Sequence, residues 1–236
     1  MTGFRDIHAH FVYGVDDGAQ TRDDMYAMLD AAHRDGVTDL CATPHVTPGV
    51  KPFDGLSFSR HFELAEEYCR QNNYDLSLHA GAEILYTPAL ERYAEEGMLP
   101  TLGNTRFVLM EFVPDVSLSE AESAIEILEH SGYQLVLAHI ERYGCMFRGN
   151  AYRVKKNHNV LFQVNCQTVI EKKHFLKARE IKGWFEDELI DYVATDQHNR
   201  TSRRSRMREA YETLREDYGP KYANKLVGLN RRRREK

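Results

Sequence analysis

Two segments in the middle of the chain are apolar at every position and have the length of a β-strand. They are Phe107-Val108-Leu109-Met110 and Leu135-Val136-Leu137-Ala138. Because successive side chains of a strand point to opposite faces, strands of this kind are buried on both faces. Such burial is typical of a parallel sheet covered by helices, so the chain is predicted to be an α/β protein.

Seven segments fit a strand pattern, at residues 5–10, 38–45, 76–84, 106–113, 134–140, 161–166 and 191–198. Helical segments separate them. The first, at residues 21–34, has Thr21 in position to cap its start and Gly36 to end it. Another is predicted to begin at an S-x-x-E capping box formed by Ser119 and Glu122 and to stop at Gly132. This alternation fits either a small closed barrel or an open doubly wound sheet.

Composition excludes several other classes of protein. The 236 residues carry a formal net charge of −5, which argues against nucleic acid as a partner. No apolar stretch approaches the roughly 20 residues of a membrane span, and the polar start does not resemble a signal peptide. The four cysteines form no C-x-x-C pair, which indicates reduced thiols. We therefore expect a cytoplasmic protein that is not itself a membrane protein.

No linker rich in proline, glycine or serine interrupts the chain. Residues 1–236 are therefore predicted to form one domain, with the basic residues at 231–236 as a flexible tail.

Metal-binding residue types end six of the seven predicted strands. In α/β folds the C-terminal ends of the strands build the active site. A lone histidine or glutamate is usually structural, but an unpaired carboxylate at the end of an apolar strand is costly to bury, and a cation removes that cost. Side chains two apart on a strand share a face, which predicts two ligand pairs, His8 with His10 and Asp196 with His198. The candidate ligands are His8, His10, His45, Glu83, Glu111, His139, Asp196 and His198.

Five imidazoles and at least three carboxylates exceed the four ligands of one tetrahedral ion, so the count predicts two or three divalent ions. Mixed nitrogen and oxygen ligands without thiolate favour Mn, Fe or Zn. Asp17, in Asp16-Asp17-Gly18, is a further candidate at the same rim, although this segment could instead be a capping turn. The other six histidines are predicted to be structural or solvated: His33, His61, His79, His130, His158 and His174.

Arginines follow two of the candidate ligands. Arg142 lies three residues after His139, and Arg203 lies five after His198. A planar guanidinium matches the oxygens of a phosphate group, which predicts a phosphorylated substrate. The other arginines of residues 200–208 are expected on a solvated helix face.

Eight motifs in order carry a family resemblance. They are His8-x-His10, Asp16-Asp17-Gly18, Thr43-Pro44-His45, Gly81-Ala82-Glu83-Ile84, Glu111-Phe112, Ala138-His139-Ile140-Glu141-Arg142-Tyr143, Gln163-Val164-Asn165 and Asp196-x-His198-Asn199. From about residue 5 to 230 the chain resembles the polymerase and histidinol phosphatase (PHP) superfamily. Within it, the chain is similar to the bacterial metal-dependent protein-tyrosine phosphatases of the CpsB/CapC type, which are associated with capsule and exopolysaccharide synthesis.

The resemblance implies a distorted seven-stranded (β/α) barrel of the TIM-like PHP fold, with a metal centre that commonly holds manganese. It makes the eight strand-end residues metal ligands and Asp17 a ligand or proton donor. Arg142 and Arg203 match the arginines that hold phosphate in the family. The expected substrate is a phosphotyrosine protein, in particular the tail of a membrane-associated bacterial tyrosine kinase.

The implied reaction is hydrolysis of phosphotyrosine by a metal-bridging hydroxide, with Asp17 or His198 protonating the leaving group. Arg142 and Arg203 would offset the phosphoryl charge. A cysteine phosphatase is excluded because no cysteine begins a C-x5-R motif. Two alternatives stay open: a small-molecule phosphatase of the histidinol-phosphate type, and a PHP nuclease or binding module.

Overall fold

A computed structural model describes residues 3–171 and 175–229, and strands and helices alternate through most of this part of the chain. The strands are β1 Phe4–Ala9, β2 Val37–Ala42, β3 His45–Val46, β4 Ser77–Ala80, β5 Glu83–Leu85, β6 Phe107–Glu111, β7 Gln134–Leu137, β8 Leu161–Asn165 and β9 Tyr192–Ala194. The helices are α1 Arg22–Asp35, α2 Gly55–Gln71, α3 Leu90–Glu95, α4 Leu118–His130, α5 Asn150–Asn157, α6 Cys166–Glu171, α7 Phe175–Glu186, α8 Met207–Tyr218 and α9 Pro220–Leu226. The predicted tail at residues 231–236 and His174 lie outside the described residues.

All strand pairs in the described residues are parallel, as predicted. They form one sheet in the order β1-β2-β4 and another in the order β3-β5-β6-β7-β8-β9. Backbone hydrogen bonds also join the end of β1 to the segment after β9. The N–H of Asp196 donates to the carbonyl of His8 (2.9 Å), and the N–H of His10 donates to the carbonyl of Gln197 (2.9 Å). The first and last strands are therefore neighbours.

Two of the seven predicted strands are each broken in two, which is why the described residues contain nine strands. Residues 38–45 divide into β2 and β3 around Pro44, which has no N–H to donate. Residues 76–84 divide into β4 and β5 around Gly81. A Cβ on Gly81 would lie 2.9 Å from Cδ2 of Leu102, so the chain passes too close there for a side chain. The prediction of two unbroken strands was wrong at these points.

Helix α1 begins and ends where predicted, whereas α4 begins earlier. Thr21 caps α1 in a reciprocal capping box, and Gly36 ends it with φ 88°. The capping box of α4 is Ser117 with Glu120, so the predicted box of Ser119 and Glu122 was wrong. Two S-x-x-E motifs overlap here. The earlier one is used because it makes Leu118, which packs against the core, the first residue of the helix.

The helices pack on the sheets around a large apolar core, and a smaller cluster that includes Ile7, Leu109 and Val136 lies apart from it. All four cysteines are free, as predicted, and three of them are buried. Among the described residues, no helix combines the length and apolar character needed to cross a bilayer. Polar side chains are concentrated instead at the C-terminal ends of the strands, where the candidate site lies.

Candidate metal centre

Strand β1 delivers two imidazoles to one point at its C-terminal end. His8 and His10 are fully buried, and their Nε2 atoms lie 3.2 Å apart. Each ring is held from behind through Nδ1. His8 Nδ1 lies 3.1 Å from Oε1 of Gln163, and His10 Nδ1 lies 2.7 Å from Oδ2 of Asp16. This arrangement turns both Nε2 atoms toward the same space.

Glu83, the first residue of β5, lies between four imidazoles and is 0% exposed. Its Oε1 is 2.8 Å from Nε2 of His139. Its Oε2 is 3.2 Å from Nε2 of His8, 3.3 Å from Nε2 of His10 and 3.2 Å from Nδ1 of His45. None of the three contacts to Oε2 has hydrogen-bond geometry. A buried carboxylate oxygen is thus surrounded by ring nitrogens without accepting a hydrogen bond from any of them.

Glu111 ends β6 beside the same imidazoles. Its Oε1 lies 3.1 Å from Nδ1 of His45, and its Oε2 lies 3.5 Å from Nε2 of His139. His139 follows β7 with φ 31°, a left-handed conformation that is strained for a side chain of this size. In this backbone conformation the imidazole of His139 points toward Glu83 and Glu111.

Asp196 and His198 follow β9 on an irregular segment, so the prediction that they share a strand face was wrong. The strand ends at Ala194, and Asp196 has φ 50°. Thr195 fixes this segment, because its Oγ1 donates to Oδ2 of the buried Asp6 (2.5 Å). Asp196 and His198 nevertheless come together, with Oδ1 of Asp196 3.4 Å from Nδ1 of His198.

The Asp16-Asp17-Gly18 segment places two carboxylates at the site in different roles. Asp17 is 65% exposed, and its Oδ1 lies 3.3 Å from Nε2 of both His45 and His198. Asp16 is buried behind His10 and accepts hydrogen bonds from it and from the N–H of His45. A Cβ on Gly18 would lie 2.1 Å from the carbonyl oxygen of His10, so only glycine fits.

The donor atoms form three overlapping groups, and within each group the atoms lie within 4.8 Å of one another. The groups share His10, His45 and Glu83, so they form one continuous cluster. They are His10, Asp17, His45 and His198; His8, His10, Glu83 and Asp196; and His45, Glu83 and Glu111. His139 adjoins the cluster through Glu83. The structure thus brings together all nine residues that the sequence singled out as candidate ligands.

Opposite charges dominate the electrostatics of the cluster. Burial disfavours the cation of His8, but Glu83 and Asp196 outweigh burial and raise the pKa of His8 to about 10. Burial acts in the same way on His45, where Glu111 and Glu83 raise the pKa to about 9. Burial alone would raise the pKa of Glu83 and Asp196, yet the charge of His8 keeps the pKa of both below the usual range.

His198 differs from the other imidazoles. Burial and the positive charge of His10 lower the pKa of His198 to about 3, so its ring is neutral at pH 7. Its Nδ1 hydrogen-bonds to the carbonyl of Asp196 (3.0 Å), and because a carbonyl only accepts, the proton is on Nδ1. The lone pair of Nε2 then faces the cluster, where this buried atom has no hydrogen-bond partner.

These features fit a divalent cation. Among the six buried side-chain atoms of the described residues that lack a hydrogen-bond partner, Oε2 of Glu83 and Nε2 of His198 belong to the donor groups. Buried polar atoms in proteins are normally satisfied, so two unpartnered ligand atoms in one cluster suit a bound cation. Imidazole and carboxylate without thiolate suit Mn, Fe or Zn.

Two guanidinium groups hold Asp196 at the edge of the cluster. Nη2 of Arg142 donates to Oδ2 (2.6 Å), and Nη2 of Arg203 donates to Oδ1 (2.8 Å). The side chain of Arg142 is 42% exposed and that of Arg203 is 33% exposed. Asn165 also donates to Oδ2 (2.8 Å). Asp196 therefore connects the buried donor atoms to a positively charged rim.

A family model described as "Capsular polysaccharide synthesis, CpsB/CapC" matches residues 4–234. The chain belongs to the CpsB/CapC family. It is 33% identical to the tyrosine-protein phosphatase CpsB of Streptococcus pneumoniae, over 97% of this chain and 96% of that protein. It is 26% identical to the tyrosine-protein phosphatase YwqE of Bacillus subtilis, over 91% of this chain and 85% of that protein.

A solved structure has the same fold, with a TM-score of 0.84 and 27% identity over 94% of this chain and 91% of that one. It comes from work on YwqE of Bacillus subtilis and CpsB of Streptococcus pneumoniae, which are called unique metal-dependent tyrosine phosphatases. The CpsB/CapC resemblance and the α/β fold are thus confirmed.

The remaining described histidines of this CpsB/CapC chain lie outside the three donor groups. His33 stacks on Tyr74, and His61 stacks on Tyr13. His79 pairs with Asp39, His130 bonds to a carbonyl of its own helix, and His158 pairs with Glu129. Of the other arginines near the site, Arg200 pairs with Asp24 and Arg206 with Glu209.

Several residues that support the cluster carried no signal of their own in the sequence. They are Asp6, Asp16, Tyr143, Gln163 and Asn165. Four of them, all except Asp6, lie inside motifs of the CpsB/CapC resemblance, but a motif does not tell which ligand a residue contacts. Tyr143, for example, has its hydroxyl 3.1 Å from Nδ1 of His139 and accepts from the N–H of Phe112.

Proposed function

We propose that this chain is a metal-dependent protein-tyrosine phosphatase that hydrolyses phosphotyrosine in proteins. One observation carries the proposal: a buried cluster of imidazoles and carboxylates ends at Asp196, and two arginines hold the opposite oxygens of that residue. Such a cluster suits cations, and the arginines beside it suit an anion. The relatives CpsB and YwqE are tyrosine-protein phosphatases, and that activity needs both a cation site and an anion site.

The proposed ligands are His8, His10, Asp17, His45, Glu83, Glu111, His139, Asp196 and His198, which would hold two or three divalent cations, Mn by preference and Fe or Zn as alternatives. Bound cations would lower the pKa of a water molecule toward neutrality and offset charge on the phosphoryl group. The three overlapping donor groups support more than one ion, because four ligands fill a tetrahedral site.

Arg142 and Arg203 are proposed to bind the phosphoryl oxygens. Each uses one nitrogen on Asp196, and the described residues accept no other hydrogen bond from either guanidinium. Nitrogen donors of both side chains therefore remain for a phosphate. Because Asp196 holds each guanidinium in place, less conformational entropy is lost when the substrate binds.

Asp17 and His198 are proposed to take part in the proton transfer to the departing tyrosine oxygen. His198 is buried and neutral, and its one proton is already donated to the carbonyl of Asp196. Asp17 is exposed at the mouth of the site, 3.3 Å from His198. Asp17 is therefore the better placed of the two to take a proton from the attacking water and pass it to the leaving group, with His198 orienting it.

The strands are proposed to close into a distorted seven-stranded barrel. If β2 with β3 and β4 with β5 each count as one broken strand, seven remain. The backbone bonds between the end of β1 and the segment after β9 support closure. Residues 1–236 are proposed to be one domain.

The proposed substrate is the phosphorylated tail of a membrane-associated bacterial tyrosine kinase in capsule or exopolysaccharide synthesis. The description of the matching family supports this context. We place the protein in the cytoplasm, where its four free cysteines would stay reduced. The net charge of −5 speaks against nucleic acid as a substrate.

The test measures phosphate release from a phosphotyrosine peptide by protein treated with EDTA and then supplied with Mn²⁺. We expect activity to disappear and return, and to exceed activity on histidinol phosphate and on single-stranded DNA. Arg203→Ala should lose activity, whereas Arg200→Ala, a change in the same loop, should retain it. Activity that survives chelation, or faster turnover of histidinol phosphate or DNA, would contradict the proposal.

A further inference from the structure

Gln163 is a fully buried amide in the apolar strand β8, and it lies behind the cluster instead of in it. Its Oε1 is 3.1 Å from Nδ1 of His8 and 3.0 Å from the backbone nitrogen of His139. Its Nε2 is 2.7 Å from Oδ1 of Asn165. Both ends of this one amide therefore have partners.

The orientation of the amide follows from partners that have only one possible role. Nδ2 of Asn165 lies 2.8 Å from Oδ2 of Asp196, and an ionised carboxylate only accepts. Oδ1 of Asn165 then faces Gln163 as an acceptor, so the NH₂ group of Gln163 must be at that end. At the other end the backbone N–H of His139 only donates, which requires the oxygen of Gln163 there. The two ends agree.

The same logic fixes His8. Because Oε1 of Gln163 only accepts, Nδ1 of His8 must carry a proton and donate it. Any metal-binding lone pair on this ring is then on Nε2, which faces Glu83 (3.2 Å) and Asp196 (3.4 Å). We propose that Gln163 is a positioning residue that sets the tautomer and orientation of His8, so that Nε2 is the atom offered to the metal. This inference rests on the metal binding proposed above.

An amide suits this position better than a carboxylate would. Asp16 performs the corresponding task for His10 as a charged acceptor behind that ring. Gln163 must also donate, because Oδ1 of Asn165 faces it. One chain of hydrogen bonds therefore runs from His8 through Gln163 and Asn165 to Asp196, and it joins two candidate ligands that are 188 residues apart in sequence. A glutamate would bring two acceptors face to face in the middle of this chain.

The first test measures Mn²⁺ affinity by isothermal titration calorimetry. Gln163→Met keeps the size of the side chain and removes both hydrogen-bonding groups, and we expect affinity to fall about 10- to 100-fold. Gln163→Glu keeps the acceptor toward His8 and should retain more affinity. Gln134→Met is the matched control, since Gln134 is also buried, in β7, but bonds to Asn159, away from the cluster. It should bind Mn²⁺ like the wild type.

Unchanged affinity in folded Gln163→Met, an equal loss in Gln134→Met, or weaker binding by Gln163→Glu than by Gln163→Met would overturn the proposal. A second test needs no variant. In wild-type protein loaded with diamagnetic Zn²⁺ and labelled with ¹⁵N-histidine, NMR should find a proton on Nδ1 of His8 and the metal on Nε2. Zinc on Nδ1 would refute the role of Gln163 and leave the proposed phosphatase intact. Failure of the wild type to bind either metal would instead refute the proposed function.

Discussion

The substitution Glu83→Gln tests the metal centre most directly, because it changes one buried charge and almost no volume. Oε2 of Glu83 lies 3.2 to 3.3 Å from nitrogens of three histidines, and Glu83 belongs to two of the donor groups. One pair of unit charges 3.2 Å apart is worth about 5 kcal/mol at an effective dielectric constant of about 20. Desolvation of the carboxylate offsets part of this Coulomb attraction. Removal of one partner from a buried charge pair typically costs about 3–5 kcal/mol net.

A bound Mn²⁺ would form a buried charge pair of the same kind with Glu83, and at about 1.4 kcal/mol for each factor of ten the loss of that pair corresponds to a fall in Mn²⁺ affinity of at least about 100-fold. Calorimetry in two buffers of different ionisation enthalpy would measure affinity and proton release together. Without the carboxylate of Glu83, the pKa of His8 falls back from about 10, so fewer protons should leave when Mn²⁺ binds at pH 7.5. Glu129→Gln is the control, since Glu129 pairs with His158 outside the donor groups.

Two results would refute this reasoning. One is Mn²⁺ affinity within threefold of the wild type in a Glu83→Gln protein that has a native circular dichroism spectrum. The other is an equal loss of affinity in Glu129→Gln, which would indicate general destabilisation in place of a lost ligand.

Three further outcomes are expected. Ser117→Ala removes the capping box of α4 and should lower the free energy of unfolding by about 1 kcal/mol in urea titrations, while Ser119→Ala should have no such effect. A larger loss in Ser119→Ala than in Ser117→Ala would indicate that Ser119 and Glu122 form the capping box. Mn²⁺ affinity should rise from pH 6 to pH 8. His8 and His45, with pKa values of about 10 and 9, must lose protons to bind metal, and they do so more readily as the pH increases. A calorimetric affinity that does not change with pH would contradict those pKa values. Arg142→Lys should lower kcat/KM for a phosphotyrosine peptide by about 10- to 150-fold, which corresponds to a lost charge-assisted hydrogen bond of about 1.5–3 kcal/mol. An unchanged kcat/KM would exclude Arg142 from phosphate binding.

The sequence predicts the parallel sheet and the convergence of the ligands because both depend on local patterns. Apolar strands mark the sheet, and parallel strands end at one edge, so residues such as Glu83 and Glu111 come together even where strand bounds are wrong. The final segment shows the limit of this reasoning. The apolar run Tyr192-Val193-Ala194 predicts a strand that continues, but Thr195 is held by Asp6, which is 189 residues away, and the chain turns at Asp196.

The supporting residues could not be predicted for the same reason. Gln163 is a single polar residue in an apolar strand. Its positioning role depends on contacts with His8 and Asn165 that exist only after the strands have assembled into the sheet. Asp16 and Asp17 are adjacent and chemically identical, and only the path of the chain buries one behind His10 and exposes the other.

The charges of the cluster predict that metal must precede phosphate. Five carboxylates lie in or against the cluster, from Asp16, Asp17, Glu83, Glu111 and Asp196, and the two arginines at its edge are already hydrogen-bonded to the last of these. The raised pKa values of His8 and His45 offset only part of this negative charge. Two or three divalent cations would reverse the sign of the local potential. Equilibrium dialysis should therefore find that inorganic phosphate binds Mn²⁺-loaded protein at least about tenfold more tightly than chelator-treated protein, a difference of about 1.4 kcal/mol. Equal binding to both would mean that the arginines alone hold the phosphate and that the carboxylates do not oppose it.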